Sequence, residues 1–266
     1  MTQLCHQIRC LRAPDVDPAA FGEITEVVPW DILALDCDQN LNDDQVCSPR
    51  LFKSHESRQH IAPGARYVCV VRDPVDVFWS FYNFLPPYMG IPAGAVTPEE
   101  FAEAVFAGAS HSGHCWHHFL GWYDAARDDP NVLLVCFEDM REDLASCARL
   151  VAKHAGVADA SDDEIAGVVE RSGFEYMRAR AGQFDDHFVR RKMWTRVGID
   201  ESEWGTGGVG KVREGGGKVG GGKEGMSAAL RGKIDDKWRE HMAPRGFATY
   251  DDFRAAVRSM SMRRAT

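Results

Sequence analysis

Apolar and polar residues alternate in blocks along the chain. The spacing of the apolar positions within each block predicts either a strand or a helix. Nearly continuous apolar runs at residues 66–72 and 132–137 are typical of parallel strands covered on both faces. Helical spacing predicts helices near residues 2–9, 74–82, 113–126, 140–155, 161–180, 226–241 and 249–258, and a further helix that begins at Thr97-Pro98. Strands that alternate with helices predict an α/β fold with a mainly parallel central sheet flanked by helices. Without a repeat or a clear boundary, residues 1–266 are predicted to form one domain.

The end of the first apolar run combines features of a phosphate-binding junction. Arg72 ends the predicted strand, Asp73-Pro74 supplies an N-cap and a first helical residue, and Ser80 follows two turns into the helix. An arginine can make paired hydrogen bonds to a phosphate there, and a serine hydroxyl can add a third. The alternative is structural: Arg72 pairs with Asp73 or Asp76, and Ser80 lies on the helix surface.

Two further segments need an interpretation. Residues 49–53 are predicted to form a short strand. Residues 205–225 contain 11 glycines interleaved with Lys211, Arg213, Lys218 and Lys223. This composition is typical of a flexible linker, but it also suits a basic loop whose backbone N–H groups approach phosphate oxygens. The loop is the preferred interpretation.

Composition excludes several classes of protein. The 44% hydrophobic and 27% charged residues are ordinary for a globular protein, and no apolar run is long enough to predict a membrane span. A net charge of −9 argues against a nucleic-acid surface. The N-terminal residues lack a secretory signal, which predicts a cytoplasmic setting, with a nuclear one as the alternative.

Cysteines and histidines give no metal or disulfide pattern. The eight cysteines include no CxxC pair, which favours buried free thiols over a disulfide framework. His114, His117 and His118 crowd one predicted helix but lack acidic or cysteine partners at ligand spacing. The sequence therefore predicts no metal.

The segment R-D-P-V-D-V-F-W-S-F-Y-N-F, residues 72–84, resembles the 3′-phosphate-binding motif of the cytosolic sulfotransferase family. The resemblance implies a P-loop-like sulfotransferase fold and 3′-phosphoadenylyl sulfate as co-substrate. It also implies that Arg72 and Ser80 hold the 3′-phosphate of that donor.

The segment P-R-L-F-K-S-H, residues 49–55, resembles another motif of the same family. The resemblance implies that His55 is the general base and that Lys53 neutralises charge around the transferring sulfuryl group. Both roles are physically reasonable, because histidine titrates near neutral pH and an ammonium stabilises developing negative charge.

Three more segments are similar to family motifs, at F-E-D-M (residues 137–140), S-G-F-E-Y-M (residues 172–177) and the glycine-rich stretch. The resemblance implies aromatic packing by Phe137, adenine contacts from Ser172 and Phe174, and phosphate contacts from the third segment. The residues of the glycine-rich stretch with these implied phosphate contacts are Arg213, Gly217 and Lys218. Glu138 and Asp139 are interpreted as helix-capping residues, and Phe174 has core packing as its alternative.

Family members begin with a strand and a K-S-G-T-T-W-type loop for the 5′-phosphosulfate. Residues 1–9 resemble the helix that follows that loop, so the first strand and loop are expected to be missing. The predicted function is sulfuryl transfer to the hydroxyl or amine of a small-molecule acceptor. The alternative is a catalytically impaired relative or fragment that binds 3′-phosphoadenosine nucleotides. A nucleotide kinase is disfavoured because the G-x-x-x-x-G-K-[ST] signature is absent. The sequence specifies neither the acceptor nor an oligomeric state.

Overall fold

The computed structural model describes residues 1–92, 94–108, 114–199, 212 and 217–265. Within these residues the chain forms two strands, thirteen α-helices and four short 3-10 helices. The strands are β1 (Tyr67–Val71) and β2 (Val132–Cys136). The helices are α1 (Thr2–Cys10), α2 (Ile24–Val27), α3 (Pro74–Tyr88), α4 (Pro98–Ala107), α5 (Cys115–Asp128), α6 (Phe137–Glu142), α7 (Leu144–Ala155), α8 (Asp162–Ser172), α9 (Phe174–Ala179), α10 (His187–Arg196), α11 (Gly221–Gly225), α12 (Ala228–His241) and α13 (Tyr250–Ala265).

The two strands form the parallel sheet that the apolar runs predict. Tyr67 pairs with Val132 and Val71 pairs with Cys136. Every residue of β2 is buried, as expected for a strand covered on both faces. Because parallel strands end at the same edge of a sheet, the residues that follow β1 and β2 are brought side by side. This α/β arrangement confirms the predicted fold class.

The described chain divides into two compact units, one of Met1–Ser54 with Val151–Gly216 and one of His55–Leu150 with Gly217–Thr266. The single-domain assignment of residues 1–266 remains a prediction. In the first unit, buried Leu4 and Ile8 of α1 lie on the helix face that the sequence spacing predicts. A second apolar cluster there joins Val28 and Phe184 with partly buried Leu51.

The second unit has two apolar clusters. One contains residues of both strands with Trp122 of α5, Trp238 of α12 and Phe253 of α13. The other packs α3 against α4 and α12 through residues such as Phe78 and Phe101. Together they fix the positions of β1 and α3, and therefore of the junction between them.

Two predicted long helices are each divided by one residue. The helix predicted at 140–155 is interrupted at Asp143, whose carboxylate accepts hydrogen bonds from the Ser146 amide at 2.9 Å and hydroxyl at 2.6 Å. Asp143 is thus used as a cap for α7 rather than as an interior residue. The helix predicted at 161–180 is divided at Gly173, whose backbone is extended.

The prediction of a short strand at residues 49–53 is wrong. Within the described chain, this segment makes only one isolated parallel bridge, between Trp30 and Lys53. The proline at position 49 has no N–H to donate, and both backbone polar groups of Leu51 are bonded to the Gln45 side chain. Too few backbone groups are left for a ladder.

The loop predicted at residues 205–225 is only partly a loop. Residues 205–211 and 213–216 lie outside the described residues, whereas Gly221–Gly225 forms helix α11. The close approach of α11 to α3 explains why these positions are glycine. A Cβ at Gly222 would lie 2.5 Å from the Val75 carbonyl oxygen, and one at Gly225 would lie 2.2 Å from the Trp79 ring.

No described helix combines enough length and apolar character to cross a membrane. Likewise, no group of three or more His, Cys, Asp or Glu side chains in the described chain is arranged to hold a metal ion.

Candidate anion-binding site

Arg72 lies at the carboxyl end of β1 and is fixed from several directions. Its guanidinium carbon lies 4.4 Å from the centre of the Phe137 ring, which follows β2. One terminal nitrogen donates to the Lys218 carbonyl oxygen at 2.9 Å and lies 3.4 Å from Asp76. The Nε atom is buried and has no partner among the described residues. A fixed guanidinium with an unused N–H donor fits an anion such as phosphate.

Asp76 joins this arginine to the glycine-rich segment. Its carboxylate, 2% exposed, accepts hydrogen bonds from the amides of Gly220 and Gly222, both at 2.8 Å. Asp76 therefore holds the turn that precedes α11 and pairs with Arg72 at the same time. The structural alternative for Arg72, a contact with Asp76, is present together with the features of an anion site.

Gly217 and Lys218 contribute their backbone to this cluster. Gly217 has a φ of +72°, which favours glycine, and a Cβ there would lie 3.7 Å from the Phe137 ring. Lys218 turns its carbonyl oxygen to Arg72, while its Nζ pairs with Glu224 at 2.5 Å. Lys218 therefore orients Arg72 through its backbone in this structure.

The interpretation of Glu138 and Asp139 as helix caps is wrong. The cap position of α6 is Cys136, which makes no side-chain capping bond. Buried Glu138 instead accepts a hydrogen bond from the Asp73 amide at 2.9 Å and one from the Tyr250 hydroxyl at 2.6 Å. It thereby ties the residue after Arg72 to β2 and α13. Asp139 pairs with arginines of α13.

The start of α3 is formed as predicted. The Asp73 carboxylate accepts a hydrogen bond from the Val75 amide at 2.8 Å, and Pro74 is the first helical residue. Burial raises the pKa of Asp73, although the Val75 amide and Lys223 act in the opposite direction. Ser80 is half-buried and lies one turn beyond Asp76 on the same face of α3.

His55 lies in the second unit, in the irregular segment before a short turn at Arg58–His60, and its side chain is exposed. Its neighbour Glu56 is buried and accepts a hydrogen bond from the Trp122 indole through its carbonyl oxygen at 3.3 Å. Trp122 also donates to His118 Nε2 at 3.1 Å. Burial lowers the pKa of His118. The segment that carries His55 is thus attached to α5.

Lys53 lies in the first unit. Its Nζ is 3.6 Å from the centre of the Trp30 ring, a cation–π contact. Its amide donates to the Pro29 carbonyl at 2.9 Å and its carbonyl accepts from the Asp31 amide at 3.0 Å. Both side-chain and backbone contacts fix this lysine.

The remaining predicted residues are placed separately. Ser172 ends α8, and its hydroxyl is buried with no hydrogen-bond partner in the described chain. Phe174 begins α9 and is half-buried. Arg213 lies outside the described residues. Of the predicted residues, the structure therefore brings together Arg72, Phe137, Gly217 and Lys218.

The sequence does not indicate that Glu138 and Tyr250 belong to this cluster. A carboxylate after the second apolar run was visible, but nothing in its spacing indicates a partner 112 residues away. From the sequence, Asp76 is predicted only as an alternative partner of Arg72. Its amide contacts depend on the turn at Gly220, which composition does not specify.

The fold and the Arg72 cluster define a class of protein: α/β proteins with a basic group at the carboxyl end of parallel strands, where phosphates bind. Residues 17–246 match the model of the sulfotransferase domain. The chain belongs to the sulfotransferase family.

Curated relatives agree with this membership. An amine sulfotransferase from Oryctolagus cuniculus is 32% identical over 49% of this chain and 44% of its own length. A flavonol sulfotransferase-like protein from Flaveria bidentis is 32% identical over 41% of this chain and 36% of its own length. The chain thus spans less than half the length of these relatives.

Solved structures share the fold. Retinol dehydratase in complex with androsterone and inactive cofactor PAP gives a TM-score of 0.66 at 17% identity, over 90% of this chain and 76% of that one. A mouse sulfotransferase complexed with PAP gives a TM-score of 0.57 at 20% identity. The match covers 73% of this chain and 66% of that one.

Proposed function

We propose that this protein is a sulfotransferase that uses 3′-phosphoadenylyl sulfate and transfers its sulfuryl group to the hydroxyl or amine of a small-molecule acceptor. The observation that carries the proposal is the Arg72 cluster, where a fixed guanidinium lies beside glycine-rich backbone and its buried Nε has no partner among the described residues. The PAP named for two similar structures supports this choice of donor.

The chain's residues are assigned separate tasks. Arg72, Ser80 and Arg213 bind the 3′-phosphate, and Asp76 holds the Gly220 turn in place through its carboxylate. Phe137 provides the surface on which the guanidinium stacks. Ser172 and Phe174 contact the adenine. The donor supplies an activated sulfuryl group.

Proton transfer is assigned to His55. A nitrogen of the imidazole ring accepts the proton of the acceptor's hydroxyl or amine. The oxygen or nitrogen of the acceptor thereby becomes the nucleophile. The exposure of His55 leaves the imidazole accessible to an acceptor. Lys53 provides positive charge to oxygens on which negative charge develops.

The acceptor is proposed to be a small organic molecule. The androsterone and retinol named for retinol dehydratase favour an apolar acceptor, and the amine sulfotransferase relative favours including amines. A cytoplasmic location is proposed because relatives from Arabidopsis thaliana are named cytosolic sulfotransferases.

The test is transfer of radiolabelled sulfate from the donor to a panel of phenols, alcohols and amines. Wild-type protein should transfer label, and His55→Ala should lower the rate about 10²- to 10⁴-fold while adenosine 3′,5′-bisphosphate still binds. His60→Ala, five residues along the chain, is the control. Unchanged transfer by His55→Ala would contradict the base assignment.

Calorimetry with adenosine 3′,5′-bisphosphate separates activity from binding. Binding that disappears in Arg72→Ala, without label transfer by wild type, would identify a nucleotide-binding relative that lacks catalysis. Absence of both binding and transfer would refute the proposal.

A further inference from the structure

Two cysteines of the first unit lie within reach of each other. Cys10 is the last residue of α1, and Cys47 lies in the irregular segment before the Lys53 bridge. Their Sγ atoms are 3.4 Å apart, and both are free thiols. A disulfide bond is about 2.05 Å long, so the two sulfurs would need to approach each other by about 1.4 Å to be joined. The proposed sulfuryl transfer uses neither thiol.

A buried cation lies beside the pair. The Arg9 guanidinium is 2% exposed and donates to neutral acceptors: His6 Nδ1, the Gln45 side chain at 2.5 Å and the Val27 carbonyl at 2.7 Å. A neighbouring guanidinium favours the thiolate form of cysteine, which is the reactive form. Arg9 interacts electrostatically with both cysteines of the pair.

The two thiols differ in exposure. Cys10 is buried, and burial raises its pKa to about 12 despite the opposing effect of Arg9. Cys47 is only half-buried. Cys47 is therefore the thiol that a small molecule reaches first, and Cys10 is placed to react second.

We propose that Cys10 and Cys47 form a reversible disulfide by exchange with a small-molecule disulfide such as glutathione disulfide. The Cys47 thiolate attacks one sulfur of that disulfide and releases one glutathione thiolate, which takes up a proton. Cys10 then loses its proton to solvent and attacks Cys47 Sγ, releasing the second glutathione. Two protein thiols are oxidised and one glutathione disulfide is reduced to two thiols.

The bond would fix the segment that leads to Lys53. The Gln45 side chain bonds both the amide and the carbonyl of Leu51, at 2.9 and 3.1 Å, and thereby closes the segment 45–51. The Lys53 amide donates to Pro29. Linking Cys47 to α1 restrains the opening of this closed segment, so the amides of Leu51 and Lys53 should exchange more slowly.

The experiment treats the purified full chain with buffers of increasing glutathione disulfide to glutathione ratio. Acid quenching, alkylation and peptide mass spectrometry should identify a Cys10–Cys47 cross-linked peptide that dithiothreitol removes. Cys10→Ser should stop at a mixed disulfide of Cys47 with glutathione, and Cys47→Ser should give no cross-link at Cys10. Cys5→Ser, at a half-buried cysteine of the same helix, is the matched control and should behave as wild type.

Hydrogen exchange provides the second readout. Oxidised wild type should show slower exchange at Leu51 and Lys53 than reduced wild type, whereas Cys47→Ser should show no difference between the two treatments. Failure to form the cross-linked peptide at any ratio, or a mixed disulfide at Cys47 in wild type that never resolves, would refute the disulfide. Cross-linking without slower exchange would refute the restraint of the segment. Neither result depends on sulfuryl transfer.

Discussion

Arg72 combines structural contacts with the features of an anion-binding group. It stacks on Phe137, donates to the Lys218 carbonyl and lies near Asp76, yet its buried Nε has no partner within the described chain. These contacts fix the plane of the guanidinium, so that an arriving anion meets a group that is already oriented. This preorganisation lowers the entropy that binding must overcome.

Replacing Arg72 with lysine tests this orientation separately from charge. Lysine keeps the positive charge but lacks the planar fork and the Nε donor. Arg72→Lys should raise the Kd for adenosine 3′,5′-bisphosphate about 10- to 100-fold, which corresponds to the loss of one charged hydrogen bond. Calorimetry would measure this Kd, and Arg141→Lys, on the exposed face of α6, is the control. Equal affinity in Arg72→Lys would mean that charge alone accounts for binding.

Glu138 gives a second test at the scale of one residue. Its buried carboxylate depends on the Asp73 amide and the Tyr250 hydroxyl. Burial, with smaller effects from Cys136 and Glu138, raises the pKa of Tyr250, so its hydroxyl stays a donor. Tyr250→Phe should lower the free energy of unfolding by about 1–3 kcal/mol, because it leaves a buried charged oxygen without its partner. Urea denaturation would measure the change.

Tyr123→Phe is the control for this measurement, since its ring packs against Phe247 and Phe253 in the same unit. If the two substitutions lower the free energy of unfolding equally, the hydrogen bond from the Tyr250 hydroxyl to Glu138 does not stabilise the protein.

At the scale of elements, α11 depends on glycine for its contact with α3. A Cβ at Gly222 would meet the Val75 carbonyl oxygen at 2.5 Å, and helix backbone cannot give way cheaply. Gly222→Ala should therefore destabilise the protein by about 1–3 kcal/mol. It should also weaken nucleotide binding, because the Gly222 amide is one of the two that Asp76 holds.

Gly232→Ala in α12 is the matched control. A Cβ at Gly232 would meet nothing within 4 Å, and alanine is the better helix former by about 1 kcal/mol. The two alanine substitutions should thus shift the thermal midpoint in opposite directions. A stabilising effect at Gly222 would contradict the close packing of α11 on α3.

The elements that could be predicted from sequence are those specified by local pattern. Both strands are continuous apolar runs, and α3 begins with a capping aspartate and a proline, so their places follow from nearby residues. The strand expected at residues 49–53 failed because the Gln45 side chain takes the Leu51 amide and carbonyl. The spacing of apolar residues does not show that a side chain will compete for these backbone groups.

The candidate site follows the same rule. Arg72 and its junction could be predicted because a strand, a cap and a helix are local signals. Phe137 came from the resemblance, and the register of β1 with β2 explains its position beside Arg72. The contacts of Glu138 with Tyr250 and of Asp76 with the Gly220 turn join residues far apart in sequence, which one sequence cannot pair.

At the scale of the whole molecule, charge is concentrated locally against an acidic background. The chain has a net charge of −9, so its overall field disfavours an anionic donor. The Arg72 cluster compensates with Lys218 and Lys223, but their Nζ atoms lie near Glu224 and Asp73 respectively. Binding of a nucleotide should therefore weaken as salt rises, because much of the attraction comes from partly exposed charges.

Stability as a function of pH depends on a buried histidine of the first unit. His6 is 1% exposed, and burial together with the nearby Arg9 lowers its pKa from 6.5 to about 4, against the effect of a hydrogen bond to Pro18. The unfolded chain therefore takes up a proton at a pH where the folded chain does not. The stability present above pH 6.5 is lost as the pH falls from about 6.5 towards 4, by about 2 kcal/mol between pH 7 and pH 5.

Urea denaturation at pH 7, 6 and 5 measures this loss. His6→Gln removes the titrating group but keeps an acceptor that can face Arg9, so the variant should show a smaller decrease in unfolding free energy than wild type over the same range. His60→Gln, at an exposed position, is the control and should follow wild type. Because His114, His118 and His241 also have lowered pKa values, some decrease should persist in His6→Gln. If His6→Gln and wild type lose the same stability on acidification, protonation of His6 does not govern the response.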